Sequence, residues 1–556
     1  MSVRFRRRFP VASTALTPTR PSPGDAAAPE AEGRDQPWSL IDRLLAAAIA
    51  VPIALWTVAI LTASHAWLAQ SIPDDAYYYL EVGQRLARGQ GPTFDGIHAT
   101  NGFHPLWQAM VAVLAIAFTG DALVRATLLV SIGLVAVAAV LTVRSLQVRF
   151  GRRAALVGVA VALHAGGMSM IVNGMETPVV LCAAALLITV VDRRPLQHQE
   201  LKVGLACAVL VLARIDLLIA IWLVPIGLGW WRRRAQLARW CAGFSAIVAP
   251  VFVANLIAFR IPLTVSGSLK LHSAFDLAKA NGGWLSAGYR EVIHRSIVDY
   301  AHLFSSAVAT PGASTLSPSS STVHWLGAAL LIVGAALYVR SVRWAGSARG
   351  VDLVLAVLLV KTVVDLTVLP LWATGWYAGA FIVLAGATAV AAVAHRLLAD
   401  PPSLTRGAWA VMLVAVLVVP AGVPRTHVDR VDPTIWQGAM DNVAGWLSAH
   451  PVEGRIGAYD AGLLGFSLDP TTVVNLDGLV NDPSYAQAVI DGAAPSTLFA
   501  MNHIDFLVGR FPERDPRVPA CAHDVWRSSD LIAYQDPASS PSYVAMRVID
   551  IRCSEA

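Results

Sequence analysis

The stretch DDAYYYLEVGQRLARGQGPTFDGIHATNGFHPLW, residues 74–107, follows a long apolar run and sets two adjacent carboxylates beside three tyrosines. Acids held close to a low-dielectric layer are costly, so a chain that keeps them there usually has a use for them. From Ala76 to Arg88, apolar and polar residues alternate at helical spacing, with Tyr78, Val82 and Leu86 on one side, and Gly89 and Gly91 end the pattern. This predicts an amphipathic helix on a membrane surface, with its tyrosines at headgroup depth. Asp74 and Asp75 fall at its start, where the helix dipole favours negative charge. Capping accounts well for one aspartate and less well for two.

The composition explains why a membrane belongs in this picture. Of 556 residues, 56% are hydrophobic and 14% charged, against roughly 25% charged in soluble domains. Apolar runs at 42–69, 121–142, 154–172, 177–192, 201–213, 216–231, 239–259, 324–340, 350–370, 374–396 and 407–423 predict a polytopic α-helical membrane protein with about 11 transmembrane helices. The net charge of +5 is concentrated in RFRRRF (4–9), VRSLQVRFGRR (143–153), WWRRRAQLAR (230–239) and RSVRWAGSAR (340–349), between the apolar runs. That distribution reads as cytoplasmic loops, not as a nucleic-acid surface. All of these loops fall inside if PLWQAMVAVLAIAFTG (105–120) does not cross, which makes 70–120 one large outer loop. The expected domains are a disordered cytosolic tail over 1–41, a membrane module over 42–423 and an extracytoplasmic domain over 424–556.

The last segment changes character. GRIGAY (454–459), TTVVNLDG (471–478), IDFLVGR (504–510) and YVAMRVID (543–550) read as strands, while DNVAGWLSAH (441–450) and SYAQAVIDG (484–492) read as helices. Their alternation predicts a small α/β domain, and no glycine-rich nucleotide loop is present. Cys521 and Cys553 are free to pair if this domain lies outside the cytoplasm. Cys182, Cys207 and Cys241 sit in apolar runs and read as packing residues.

On this topology the outward segments hold most of the acids, amides and aromatics near the membrane. A carboxylate there takes a proton from an attacking hydroxyl, or holds a metal or substrate. A lipid-linked phosphate lies at the same depth, where Lys270 of SGSLK and Arg214 of LARID are candidate cations. A snorkelling lysine and an arginine paired with Asp216 are the plainer accounts of those two residues.

The 74–107 stretch resembles the first extracytoplasmic loop of the GT-C superfamily of integral membrane glycosyltransferases. The likeness is strongest to bacterial arabinofuranosyltransferases and also extends to protein mannosyltransferases. NGMETP (173–178), LARID (212–216) and VVNLDGLVN (473–481) resemble weaker motifs of bacterial members. The resemblance implies an inverting transfer of a sugar from a polyprenyl-phosphate donor to an acceptor hydroxyl on a glycan, protein or lipid. It assigns catalysis to Asp75 and Asp74, and leaves a divalent metal as an option with Glu176 as ligand. A second D-x-D motif is lacking. Tyr78, His104, Lys270, Arg214, Trp376, Tyr377 and Asp477 are the expected substrate contacts, with His98 secondary and Trp372, Trp376 and Tyr377 equally readable as an aromatic belt. The implied location is the plasma or inner membrane, with the N-terminus cytoplasmic. Two other readings compete: a transporter or flippase of a lipid-linked sugar, and a non-catalytic envelope-assembly protein.

Overall fold

The computed structural model describes residues 37–164, 167–193, 199–309, 349–369, 375–399, 435–534 and 542–553. The expected crossings at 324–340 and 407–423, the N-terminal tail to residue 36, and Trp372 lie outside the described residues. Among those described, four helices are long and apolar enough to cross a membrane: Leu40–Thr62, Gly120–Phe150, Arg234–Phe259 and Trp376–Leu398.

Several expected crossings are shorter or broken. The run 154–172 divides into Arg152–His164 and Gly167–Ile171. The run 201–213 forms a 14-residue helix, Glu200–Ala213, about 21 Å long against a hydrocarbon layer of about 30 Å. The run 216–231 makes only a 3-10 turn, Ile215–Ile219, and a five-residue helix, Leu223–Gly227. Asp216, Pro225 and Gly229, the last at φ 74°, interrupt it. Pro105–Ala115 has 11 residues, too few for a crossing.

The C-terminal region forms a five-stranded sheet in the order β2-β1-β3-β5-β4, with β1 Arg455–Ala458, β2 Val473–Asn475, β3 Ile504–Arg510, β4 His523–Tyr534 and β5 Ser542–Asp550. β1 pairs in parallel with β2 and β3, and β5 runs antiparallel to β3 and β4. The helices Gly462–Ser467, Pro483–Ile490 and Pro495–Asn502 occupy the connections on the parallel side. Strand β4 and the helices Gly462–Ser467 and Pro495–Asn502 are absent from the sequence expectation. The run HDVWRSSDLIAY lacks clean alternation, and GLLGFS is only six residues long. Cys521 and Cys553 form a disulfide, with Cα atoms 5.7 Å apart.

The helix Asp74–Ala87 departs from the surface position expected of it: every residue from Ala76 to Arg85 is buried. The C-terminal domain sits on it. Tyr77 packs against Phe466 with centroids 5.4 Å apart and donates to Leu68 O, while Tyr78 meets Phe94 edge-on at 5.2 Å. A single apolar core joins Leu45, Tyr77 and Val111 of the membrane region to Leu464, Val508 and Val548 of the sheet domain. The tyrosines therefore face another layer of protein instead of lipid headgroups.

Backbone contact sets the closeness of this seam. A Cβ on Gly462 would lie 2.2 Å from Asp74 O, and one on Gly102 would lie 1.8 Å from Leu479 O. Gly462→Ala is expected to lower the melting temperature and expose the seam to limited proteolysis, an overpacking cost of about 1–3 kcal/mol. Gly133→Ala is the control, because a Cβ at Gly133 meets nothing within 4 Å.

Candidate active site

Asp74 and Asp75 are adjacent, but the helical turn sends them to different surroundings. The Asp74 carboxylate accepts from the backbone N–H groups of Gly462 and Leu463, each at 2.8 Å, and so fastens the loop to the C-terminal domain. Burial and the nearby Asp460 push its pKa up to about 8, against those two donors, which favour the charged form. Asp75 makes no hydrogen bond among the described residues and lines an open cavity of about 490 Å³, counting the space at its mouth. Burial raises the Asp75 pKa, Lys270 opposes that rise and Glu176 adds to it.

Most of the residues expected from the sequence meet at this cavity. Asp75, Tyr78, His104, Glu176, Lys270, Trp376 and Tyr377 all line it, joined by Tyr79 and Ser266. Lys270 Nζ donates to Tyr377 Oη at 2.6 Å. The Tyr377 ring also carries the Arg214 guanidinium at 3.9 Å and the Lys361 ammonium at 4.9 Å, a three-cation cluster around one phenol. Lys361 went unread in the sequence because it lies mid-helix in an apolar run. It is paired with Asp365 and lies 3.5 Å from Asp216. Trp376 contributes a buried indole N–H with no acceptor among the described residues.

Arg214 stands behind this wall, 3% exposed. It donates from Nη1 to Glu176 Oε1 at 2.6 Å and from Nε to Asp216. Tyr79 Oη donates to Glu176 Oε2 at 3.3 Å and accepts from the His104 N–H. His104 Nδ1 accepts from Ile215 N–H, which leaves Nε2–H facing Glu176 Oε1 at 3.6 Å. Burial pushes the His104 pKa down to about 4, so the ring is neutral at pH 7. Burial alone would raise the Glu176 pKa, but the Arg214 guanidinium outweighs it and holds the group below the usual carboxylate range.

The donor set around Glu176 does not suit a divalent cation. Its oxygens serve Arg214 and Tyr79, and among the described residues no group of three or more His, Cys, Asp or Glu side chains is placed to hold a metal. Read from the sequence as a candidate metal ligand, Glu176 instead has Arg214 as its partner. His98 is held by Asp95 at 2.6 Å, away from this cavity.

Two expected contacts have other positions. Tyr78 lines the cavity, yet its hydroxyl accepts from Ala461 N–H and Asn475 Nδ2, both at 2.9 Å, so it also braces the C-terminal domain. Asp477 lines a second cavity in that domain. Its Oδ2 accepts from Asp460 N–H at 2.7 Å and from Asn475 Nδ2 at 3.2 Å.

Because Arg214 and Glu176 are both buried, removing one strands the other's charge. Arg214→Met is expected to cost about 3–5 kcal/mol of stability, and adding Glu176→Gln should recover much of that loss. Thermal unfolding of the single and double variants measures both effects.

No protein-family model and no curated protein sequence matches the chain. Solved structures do. The apo oligosaccharyltransferase of Archaeoglobus fulgidus aligns at TM-score 0.52 and 12% identity, over 85% of this chain and 69% of that one. The oligosaccharyltransferase AglB of the same organism, in complex with an inhibitory peptide and a dolichol-phosphate, aligns at TM-score 0.52 and 12% identity over 84% and 69%. ArnT of Cupriavidus metallidurans in the apo state overlaps at TM-score 0.40 and 14% identity, over 92% and 98%, too loosely to bear on the fold. The chain has the fold of the archaeal oligosaccharyltransferases, in keeping with the GT-C resemblance of its first loop.

Proposed function

We propose that this protein is a membrane glycosyltransferase that moves a sugar from a polyprenyl-phosphate donor to an acceptor hydroxyl on the outer side of the membrane. The observation that carries this reading is the division of labour between the two aspartates. Asp74 is committed to structure, whereas Asp75 faces a cavity walled by Lys270 and Tyr377. The neighbour of similar fold that was solved with a dolichol-phosphate supports a lipid-phosphate ligand. The disulfide in the C-terminal domain supports an oxidising, extracytoplasmic location for it.

The chemistry follows from the charges. As the acceptor oxygen attacks the anomeric carbon, its proton passes to Asp75 and the bond from that carbon to the phosphate oxygen breaks. The lipid phosphate leaves as an anion, and a single displacement inverts the anomeric configuration. In this reading Lys270 receives the phosphate, because it lines the cavity whereas Arg214 stands behind the wall. Arg214 acts through Tyr377, fixing the phenol that orients Lys270. Burial gives Asp75 a stronger appetite for a proton than an exposed aspartate has.

Asp75→Asn is expected to lower turnover about 10²–10⁴-fold while binding of the lipid-linked donor survives. Full transfer activity in that variant, in protein that inserts normally, would refute the base. The acid limb of the kcat/KM profile gives a second test. Transfer needs the carboxylate form, so the rate falls as pH drops through the Asp75 pKa. Lys270 lowers that pKa, so Lys270→Met should move the limb to higher pH. The transporter reading draws on the buried Lys361–Asp365 pair within an apolar helix. Reconstituted vesicles that translocate the lipid without sugar transfer would favour it.

A further inference from the structure

The C-terminal domain holds a second cavity, lined in part by Trp436, Tyr459, Asp460, Asp477, Arg510 and Arg517. Two carboxylates face two guanidiniums there, and aromatic rings supply the remaining walls. Arg510 lies over the Trp436 ring at 4.2 Å and 3.7 Å from Asp460, and Arg517 lies over the Tyr459 ring at 4.9 Å. The Trp436 indole N–H is buried and meets no acceptor among the described residues. Asp460 holds φ 48°, a region that few non-glycine residues adopt, and donates its N–H to Asp477.

We propose that this cavity is the acceptor subsite and that the acceptor is a neutral glycan. Rigid aromatic faces suit the C–H face of a sugar ring. Sugar hydroxyls donate and accept at once, and so match a lining that sets carboxylate oxygens beside arginine N–H groups. Arg517 is also paired with the buried Asp515, at 2.6 Å, so the lining has no surplus positive charge and disfavours an anionic ligand. A peptide main chain would instead call for backbone or amide partners in register along its length.

The position of the cavity connects it to the chemistry. Tyr78, on the wall of the first cavity, accepts from Ala461 N–H, next to Asp460, and from Asn475, two residues before Asp477. A glycan seated here presents a terminal hydroxyl toward Asp75. The inference rests on the reading of Asp75 as the base, but its test does not require turnover.

The test is binding to the full-length protein in nanodiscs, by calorimetry or saturation-transfer NMR. The probes are neutral manno-, galacto- and arabino-oligosaccharides of four to six residues, with a uronate-containing oligosaccharide and serine- or threonine-containing peptides as the other arms. At least one neutral oligosaccharide is expected to bind wild type and Asp75→Asn equally, and to bind at least tenfold more weakly to Asp477→Asn and to Arg517→Ala. Arg295→Ala, exposed on the helix Ala287–Ala309, should leave binding unchanged. Absence of any oligosaccharide binding, binding indifferent to Asp477→Asn and Arg517→Ala, or preference for the peptide or the uronate would overturn the proposal. Donor turnover that depends on Asp75 without such binding sinks this inference and leaves the transferase reading standing. Oligosaccharide binding at this cavity with no transfer from any lipid-linked donor sinks the transferase reading, and with it the acceptor role, and leaves only a glycan-binding cavity.

Discussion

Two backbone N–H groups, on Gly462 and Leu463, hold the Asp74 carboxylate, and the arrangement of the site follows from that contact. The hydrogen bonds offset part of the cost of burying a polar carboxyl group, and they set the orientation of the first turn of the helix Asp74–Ala87. With Asp74 fixed, the 100° step of the helix puts Asp75 on a different face, toward the cavity. The same helix carries Tyr78 to the C-terminal domain and Tyr79 to Glu176. One short run of residues therefore supplies a fastener, a carboxyl group at the cavity and two struts.

On the opposite wall, order comes from paired charge. Glu176, Arg214, Asp216, Lys361 and Asp365 form a chain of ion pairs behind Tyr377. Each pair alone would be a doubtful source of stability, because desolvation consumes most of the Coulomb gain. Their effect is geometric: they hold a phenol and a lysine still at the cavity edge. Neutral His104 turns its Nε2 side toward Glu176, 3.6 Å away, without adding charge.

The sequence made the site partly legible for reasons that attach to particular residues. Asp75, Lys270 and Tyr377 could be found because polar side chains beside apolar runs stand out against their surroundings. Lys361 could not, since its approach to Asp216 depends on how its own helix, which also carries Asp365, meets the 3-10 turn Ile215–Ile219. The helix Asp74–Ala87 was visible by its period, but its place was misread. An amphipathic pattern looks the same whether one face meets lipid headgroups or a second protein layer. Asp74 looked equivalent to Asp75 until the domain that holds it, almost 400 residues away along the chain, was in position. The broken helices around Asp216 and Pro225 show the limit of counting crossings by hydropathy: apolar content survives where length does not.

The first loop is gripped from both ends by the same distant segment. Asp74 binds Gly462 and Leu463, while Arg85 and Arg88 both reach Asp469 at the far end of the helix. Those anchors are synthesised long after the loop itself. A nascent chain that has delivered its membrane helices but not residues 462–469 has no means of orienting Asp75. The orientation of Asp75 therefore waits on residues made almost 400 positions later, and the first loop cannot take its final shape by local folding alone.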